Sequence, residues 1–237
     1  MDRTMTTRRH INAQFDVELR SLKDQISAMG SLVDRHVGEA VAALIERDRE
    51  RARRVIEADR AVNQSELAID EQCIRVLALQ QPAASDLRFI AAALKMVTDL
   101  ERIGDLAVNM AERVPALCEE PALRAVEELP QMAAAAQTML RDVLEAFVNG
   151  DPVKAEAVLA ADPAIDAWSV RIFDEVQSVM GRDPSSVPRG LATIFFAKHI
   201  ERIADHTTNV AEMVIYLVRG QDVRHAKASS SPQQSPT

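Results

Sequence analysis

The sequence predicts an all-α protein built from two tandem, pseudo-symmetric three-helix bundles. Composition is the first reason, since aromatic residues make up 3% of the 237 residues and glycine occurs 7 times, while hydrophobic residues reach 47%. This mixture favours helices, because strands draw on aromatic and β-branched side chains. Apolar residues also recur at helical spacing in long blocks, and one segment returns about 100 residues later. These observations together predict six long helices, three in each half.

The first half is predicted to contain helices at about 15–45, 49–79 and 85–113, because apolar residues keep helical spacing through each block. Pro82 breaks the pattern before the third helix, since proline cannot donate the hydrogen bond of a helix interior. Ser85 or Asp86 is the expected N-cap of that helix, where a short polar side chain accepts from free N–H groups. We assign residues 1–122 to this first bundle.

The second half repeats the scheme, with helices expected at about 131–148, 152–180 and 191–218. The sequence NGDP ends the first of them, and Pro152 suits the first turn of the next helix, where an N–H group has no partner. We assign residues 123–225 to the second bundle. Residues 226–237 are rich in Ser, Pro and Gln and carry no apolar anchor, so they are predicted to form a disordered tail.

One phrase occurs twice in the chain. LERIGDLAVNMAE begins at Leu100, and IERIADHTTNVAE begins at Ile200. In the windows 99–112 and 199–212, seven of fourteen positions are identical. Earlier parts of the two halves align at an offset of 103 residues. The repeat predicts that both bundles share one architecture and that the third helix of each carries the same chemistry.

The repeated phrase places polar side chains along one face of a helix. At 100° per residue, Glu101, Asp105 and Asn109 lie within one stripe. The same stripe recurs in the second half, at Glu201, Asp205 and Asn209. Carboxylates four residues apart repel one another, so a positive charge must offset the pairing.

The neighbouring helix is expected to bring further carboxylates to the same level. If the second and third helices of each half pack antiparallel, Asp59 faces the first stripe, and Asp162 and Asp166 face the second. In the first half the same helix face continues with Asn63, Glu66 and Asp70. Oxygen ligands of this kind suit hard or borderline cations such as Mg²⁺, Mn²⁺, Ca²⁺ or iron. The sequence therefore predicts a metal site in each half.

Two alternatives concern the charges around these stripes. Local salt bridges from Arg102, Arg202 and Lys198 would offset the carboxylates without metal. His206, which directly follows Asp205, is a candidate extra ligand in the second half or a capping histidine. The neutral Asn63 removes one charge from the first half. The residues alone leave these readings open.

Several other activities lack their signatures in this sequence. It contains no Glu-x-x-His motif of di-iron bundle enzymes, no glycine-rich phosphate loop and no GxSxG elbow. A net charge of -8 repels nucleic acid. Cys73 and Cys118 show no CxxC spacing, which indicates a reducing compartment. Because no apolar span or secretory signal is evident, we expect a cytoplasmic location.

The segment SDLRFIAAALKMVTDLERIGDLAVNMAERV, residues 85–114, resembles the PhoU family of phosphate-signalling regulators. The similarity consists of an Asp-Leu-Arg helix start, a Leu-Lys pair and a Glu/Asp-x-x-x-Asp motif. That motif stands here as Glu101 with Asp105, and again as Glu201 with Asp205. The resemblance extends over nearly all of residues 15–220.

This resemblance implies a cytoplasmic bacterial adaptor of six helices in two bundles, and not an enzyme. Members of the family bind multinuclear metal clusters through the acidic motifs, so divalent or multinuclear Mg, Mn, Fe or Zn ions are the implied cofactors. The implied ligands are Glu101, Asp105, Glu201 and Asp205, with Asp162 and Asp166 as a second-helix version of the motif. The first-half equivalent of that version is Asp59 with the neutral Asn63.

The implied partners are the ATPase subunit of a phosphate ABC transporter and a membrane sensor histidine kinase, with a homodimer also expected and no nucleic acid. In this role the protein would keep phosphate-starvation genes off when phosphate is plentiful, at the inner face of the membrane through its partners. Two alternatives from other classes are a carboxylate-bridged di-metal oxidoreductase and a metal-free helical scaffold. Metal analysis separates the scaffold from the other two, and an oxygen- or peroxide-consumption assay separates the enzyme from the adaptor.

Overall fold

A computed structural model describes residues 3–80, 82, 84–119, 121 and 123–223, with side chains from residue 15 onward. These residues form helices and turns without a strand, which confirms the predicted all-α class. The α-helices are α1 Arg3–Ile45, α2 Arg49–Ala58, α3 Arg60–Gln80, α4 Ala84–Leu117, α5 Leu129–Asn149, α6 Pro152–Arg182 and α7 Val187–Arg219. Short 3-10 helices, Arg124–Glu128 and Pro184–Ser186, precede α5 and α7. The predicted tail, 226–237, lies outside the described residues.

The helix predicted over 49–79 is interrupted at Asp59, which separates α2 from α3. Asp59 keeps a right-handed backbone (φ -59°, ψ -27°), and its carbonyl accepts from the N–H groups of Val62 at 2.9 Å and Asn63 at 3.2 Å. The chain therefore makes one tight turn here instead of ending the helix. Both segments pack against α1 and α4, so together they take the place of one second helix.

The start of α4 differs from the sequence-based prediction. The helix begins at Ala84, so neither Ser85 nor Asp86 is its N-cap. Both residues lie in the first turn, where the Asp86 carboxylate interacts favourably with the positive end of the helix dipole. Pro152 is the first residue of α6, as predicted. Gly150 ends α5 in the left-handed conformation (φ 64°), which glycine adopts without steric cost.

The two halves repeat their caps and ion pairs as well as their helices. Asp48 accepts from the backbone N–H of Arg51 at 2.9 Å, and Asp151, 103 residues later, accepts from that of Lys154 at 3.1 Å. Each basic side chain also pairs with a carboxylate on the preceding helix, Arg51 with Glu39 and Lys154 with Asp142. The internal repeat is therefore visible in side-chain contacts that the repeated phrase does not include.

Helices α4 and α7 form the centre of the molecule. They pack antiparallel against each other, as shown by the contacts of Asp99 with His206 and of Arg113 with Phe195. Ile103 and its repeat-equivalent Ile203 are both fully buried between these contacts. Helix α1 also packs against α5, and the apolar core is continuous across both halves. The domain boundary between residues 122 and 123 stays a prediction.

Helix α1 has 43 residues and helix α4 has 34 in the described part of the chain. In that part of the chain, no helix combines the length and the apolar character needed to cross a bilayer.

Candidate metal centres

The first candidate site lies where α4 packs against the turn between α2 and α3. Burial and the neighbouring Asp105 raise the pKa of Glu101 to about 7, and Glu66 adds to this effect. Burial and Asp105 also raise the pKa of Asp59. Burial and Asp70 raise the pKa of Glu66. Carboxylates of this cluster repel one another, and Glu101, Asp59 and Glu66 are harder to ionise than they would be in water.

Asp59 lies close to the backbone of α4 at Gly104. Its Oδ2 accepts from the Asn63 amide at 3.0 Å, but its buried Oδ1 has no hydrogen-bond partner. A Cβ at Gly104 would lie 3.1 Å from Val62 Cγ1 and 3.5 Å from Asp59 Oδ1, so glycine permits this approach. Burial lowers the pKa of His36 on α1, and the nearby Asp59 carboxylate acts in the opposite direction. The Oδ1 atom of Asp59 therefore has no hydrogen-bond partner and is available to coordinate a metal ion beside the cluster.

Arg102 supplies positive charge at the edge of this first cluster. Its guanidinium lies 3.1 Å from Asp105 and 3.5 Å from Glu101, but the arginine side chain is 56% exposed. An exposed guanidinium is screened by water and stabilises a carboxylate weakly. This explains why the pKa of Glu101 remains raised although a cation is in contact with it.

The second candidate site lies between α6 and α7. Burial, Glu201 and Asp166 raise the pKa of Asp205, so these three carboxyl groups act on one another. Glu201 also accepts a hydrogen bond from Ser169 Oγ at 2.5 Å and pairs with Lys198. Its charge is thus already offset by protein groups. The negative charge of the second cluster is therefore offset by protein groups to a greater extent than that of the first.

The internal repeat explains this difference between the halves. Thr98 stands where the second half has Lys198, and Glu66 stands where it has Ser169. The first half therefore has an additional carboxylate and lacks the lysine. Glu66 restores the charge that the neutral Asn63 removes.

The remaining predicted ligands lie around these clusters. Asp162 is partly buried on α6, one turn before Asp166. Asn109 is partly buried on α4, next to the first stripe. Asn209 and His206 both contact Asp99 of α4, at 3.0 and 2.9 Å, and the charge of His206 also acts on Asp205. Metal binding by these four residues stays a prediction.

The donor set fits a hard cation, although its side chains would have to rotate to coordinate one. As they stand, no three His, Cys, Asp or Glu side chains of the described residues converge on a common point. The clusters nevertheless offer carboxylate oxygens from adjacent helices, including the orphaned Asp59 Oδ1. Burial and the neighbouring carboxyl groups raise the pKa of Glu101, so a bound cation would favour its ionised form. Carboxylate oxygens are the ligands that Mg²⁺ and Mn²⁺ prefer in proteins.

Two polar residues beside the clusters were not identified from the sequence. His36 interrupts an apolar heptad stripe between Met29 and Ala43, which was a readable signal of a special position. Ser169 could have been found through the repeat, since it occupies the position of Glu66. Ser169 donates to Glu201 and His36 lies near Asp59, two carboxylates that the sequence did predict.

Two bundles related by an internal repeat, each with a carboxylate cluster between its second and third helices, define a class of duplicated helical proteins with paired acidic sites. A sequence model described as the PhoU domain matches residues 26–114 and 129–214, one match in each half. The chain belongs to the PhoU family.

Named relatives support this assignment along most of the chain. It is 45% identical over 217 residues to the phosphate-specific transport system accessory protein PhoU homolog of Pseudomonas putida, covering 91% of this chain and 85% of the relative. It is 35% identical to the accessory protein PhoU of Escherichia coli (strain K12) over 222 residues, 94% of this chain and 92% of the relative. The repeat and its acidic phrase therefore lie within a region shared with these proteins.

Solved structures show the same architecture. The crystal structure of PhoU from Pseudomonas aeruginosa superposes with a TM-score of 0.85 at 42% identity, covering 87% of this chain and all of that one. The phosphate transport system regulatory protein PhoU from Streptococcus pneumoniae superposes with a TM-score of 0.83 at 35% identity, covering 88% and 99%. The arrangement of six helical segments in two bundles is therefore that of solved PhoU structures.

Proposed function

We propose that this protein is an accessory regulator of phosphate transport that binds metal ions in its two acidic clusters and acts by binding partner proteins. The observation that carries this proposal is membership of the PhoU family in both halves of the chain. Relatives at 35–45% identity bear the name phosphate-specific transport system accessory protein, and a structural neighbour is named a phosphate transport system regulatory protein. The carboxylate clusters supply the chemistry for metal binding.

Glu101 and Asp105, with Asp59 and Glu66, would hold metal in the first half. Glu201 and Asp205, with Asp162 and Asp166, would hold it in the second. Bound Mg, Mn, Fe or Zn ions supply positive charge that offsets the repulsion within each cluster. The carboxylates come from neighbouring helices, so occupation of the sites would fasten α4 to α3 and α7 to α6.

The proposed partners are the ATPase subunit of a phosphate ABC transporter and a membrane sensor histidine kinase. By linking the two at the cytoplasmic face of the membrane, the protein would keep phosphate-starvation genes off when phosphate is plentiful. A homodimer is the proposed assembly. Regulation by binding agrees with two clusters that lie at the bundle surface, where the Asp105 side chain is 39% exposed.

The adaptor function is distinguished from a di-metal oxidoreductase by genetics together with an assay of the purified protein. Deleting the gene should switch on phosphate-starvation genes in phosphate-rich medium. The metal-loaded protein should bind the ATPase subunit or the sensor kinase and should consume neither oxygen nor peroxide. Unchanged starvation-gene expression in the deletion strain would contradict the proposed function, and metal-dependent peroxide consumption would favour the enzyme.

A further inference from the structure

A cationic and aromatic surface lies beside the crossing of α4 and α7, away from the residues that pair Asp99 with His206. Phe195, His199 and Arg202 follow one another at spacings of four and three, so they share one face of α7. Arg113 of α4 lies over Phe195, with its guanidinium carbon 5.5 Å from the ring centroid. We call these four residues the Phe195 surface.

The arginines of the Phe195 surface keep their charge available. Within the described residues, neither Arg113 nor Arg202 forms a hydrogen bond or an ion pair. Burial lowers the pKa of His199 to about 4, and the charges of these two guanidiniums act in the same direction. The ring of His199 is therefore neutral at pH 7, and both of its nitrogens are buried without a hydrogen-bond partner. One guanidinium thus lies over the exposed Phe195 ring, a second lies on the same face of α7, and neither is paired with a carboxylate of the described residues.

The internal repeat provides a direct comparison for this surface. The repeat-equivalent of His199 is Asp99, whose charge is satisfied by His206 and Asn209 on the other side of the crossing. The equivalent of Phe195 is Lys95, which lines an open groove there. One side of the crossing is therefore neutralised from within the chain, and the Phe195 side is not.

An apolar groove between α6 and α7 leads away from Phe195. Its walls include Val170 and Phe173 of α6 and Ile194 of α7. Val170 is 60% exposed, Phe173 46% and Phe195 48%, so apolar area of three side chains faces solvent. Exposed apolar side chains next to uncompensated charge are a common composition of protein–protein interfaces, where aromatic residues and arginine are enriched.

We propose that the Phe195 surface and its groove dock an acidic segment of a partner protein, with a carboxylate placed one helical turn from an apolar side chain. The carboxylate pairs with Arg113 and Arg202, and the apolar side chain enters the groove beside Phe173. Arginine forms favourable paired hydrogen bonds with carboxylates, which supports an acidic partner. The groove borders the second metal cluster, because Ser169, Lys198 and Glu201 also line it, and the inference rests on the proposed adaptor function.

A membrane surface fits this region less well than a protein segment does. The apolar residues line a groove between two helices instead of a protruding ridge. A helical peptide can place one side chain in such a groove while its carboxylate reaches the arginines.

The proposal is tested with a defined probe and the full-length protein. The probe is a fluorescein-labelled amphipathic peptide of about 16 residues, long enough to form a helix on binding, with Leu and Glu at spacings of three and four. A second peptide carries Gln in place of every Glu. Vesicles of phosphatidylglycerol serve as the membrane arm. Binding is followed by fluorescence anisotropy for the peptides and by co-sedimentation for the vesicles.

Two variants locate the binding site. Arg113→Glu removes the cation over the ring, and Phe195→Ala removes the exposed ring. Both residues are exposed, and circular dichroism checks that the fold is retained. Lys95→Glu is the matched control, because it changes the net charge as much as Arg113→Glu does, on the other side of the crossing, at the position equivalent to Phe195. We expect Arg113→Glu to weaken binding of the Glu peptide by about fivefold to tenfold and Lys95→Glu by less than about twofold.

Three results would overturn the proposal. The first is equal loss of binding in Arg113→Glu and Lys95→Glu. The second is binding of the Gln peptide as tightly as the Glu peptide. The third is sedimentation with the vesicles that depends on Arg113 while the Glu peptide does not bind. These outcomes differ from failure of the proposed function, which appears as unchanged starvation-gene expression in the deletion strain.

Discussion

Asp99 of α4 and His206 of α7 lie 2.9 Å apart, measured from Oδ1 to Nδ1, although 107 residues separate them in the chain. Asn209 donates to the same Oδ1 at 3.0 Å. These bonds join the first half of the molecule to the second at the crossing of its central helices. The repeat-equivalent positions hold His199 and Leu106, which cannot form such a pair. The two halves thus share a backbone arrangement, but the charged side chains at these equivalent positions differ.

Removing this contact should destabilise the junction between the halves. We expect Asp99→Ala and His206→Ala each to lower the free energy of unfolding by about 1 kcal/mol, the net contribution of a partly buried hydrogen bond. A double-mutant cycle from urea unfolding at neutral pH should give a coupling energy of about 0.5 to 1.5 kcal/mol. A coupling energy of zero would show that the two side chains do not stabilise the junction together. Leu106→Ala is not a suitable control, because that side chain is buried.

The metal-free protein should lose stability as pH rises through neutrality, because of Glu101. The pKa of this carboxyl is about 7 in the folded chain and about 4.5 when unfolded, so the folded state holds the proton more tightly. This stabilisation is fully present below about pH 4.5 and is lost as the pH rises through about 7. Glu101→Gln keeps the neutral form at every pH and should remove that part of the pH dependence.

The measurement compares urea unfolding of chelator-treated wild type and Glu101→Gln at about pH 6 and about pH 8. The variant should be the more stable of the two at the higher pH, by about 1 kcal/mol once solvent screening is allowed for. Glu112→Gln, an exposed change further along α4, is the control. If wild type and Glu101→Gln lose the same stability between the two pH values, the repulsion assigned to the first cluster is wrong.

Lys198 should compete with metal for Glu201. The lysine pairs with that carboxylate in the second half, and the first half has Thr98 at the equivalent position. Lys198→Met, which keeps the length of the side chain, should raise the affinity of the second site for Mn²⁺ by about fivefold, the equivalent of about 1 kcal/mol. Isothermal titration in an Asp105→Asn background isolates that site. Unchanged or weaker affinity would mean that Lys198 does not limit metal binding.

The fold was predictable to a large extent because its signals are local or repeated. Helical spacing of apolar residues predicts the six long helical segments, and the recurrence of the phrase beginning at Leu100 predicts the two halves. The break at Asp59 was not predictable, because the spacing of apolar residues continues through it into α3. The start of α4 was misplaced because several residues near Asp86 can occupy a first turn, and helix ends carry the weakest sequence signal.

The candidate sites were predictable in their carboxylates but not in their surroundings. Side chains on one helix face follow from the helical repeat, so Glu101 and Asp105 could be placed together. The direction of Asn209 toward α4 depends on how the two bundles pack, which a single helix period does not determine. The role of Lys198 as a partner of Glu201 was among the alternatives, and the structure shows that pair. The uncompensated charge beside Phe195 depends on the packing of α4 against α7, which a single helix period does not determine.

Elemental analysis of four proteins tests most directly the claim that each half holds its own metal. Wild type, Glu101→Ala with Asp105→Ala, Glu201→Ala with Asp205→Ala, and the combination of all four changes are each equilibrated with Mg²⁺ or Mn²⁺ and freed of excess ion. We expect each double variant to keep about half of the metal bound by wild type and the combined variant to keep none, since oxygen ligands from separate helices form each site. A wild-type protein without metal, or a double variant that empties both halves while remaining folded, would contradict it.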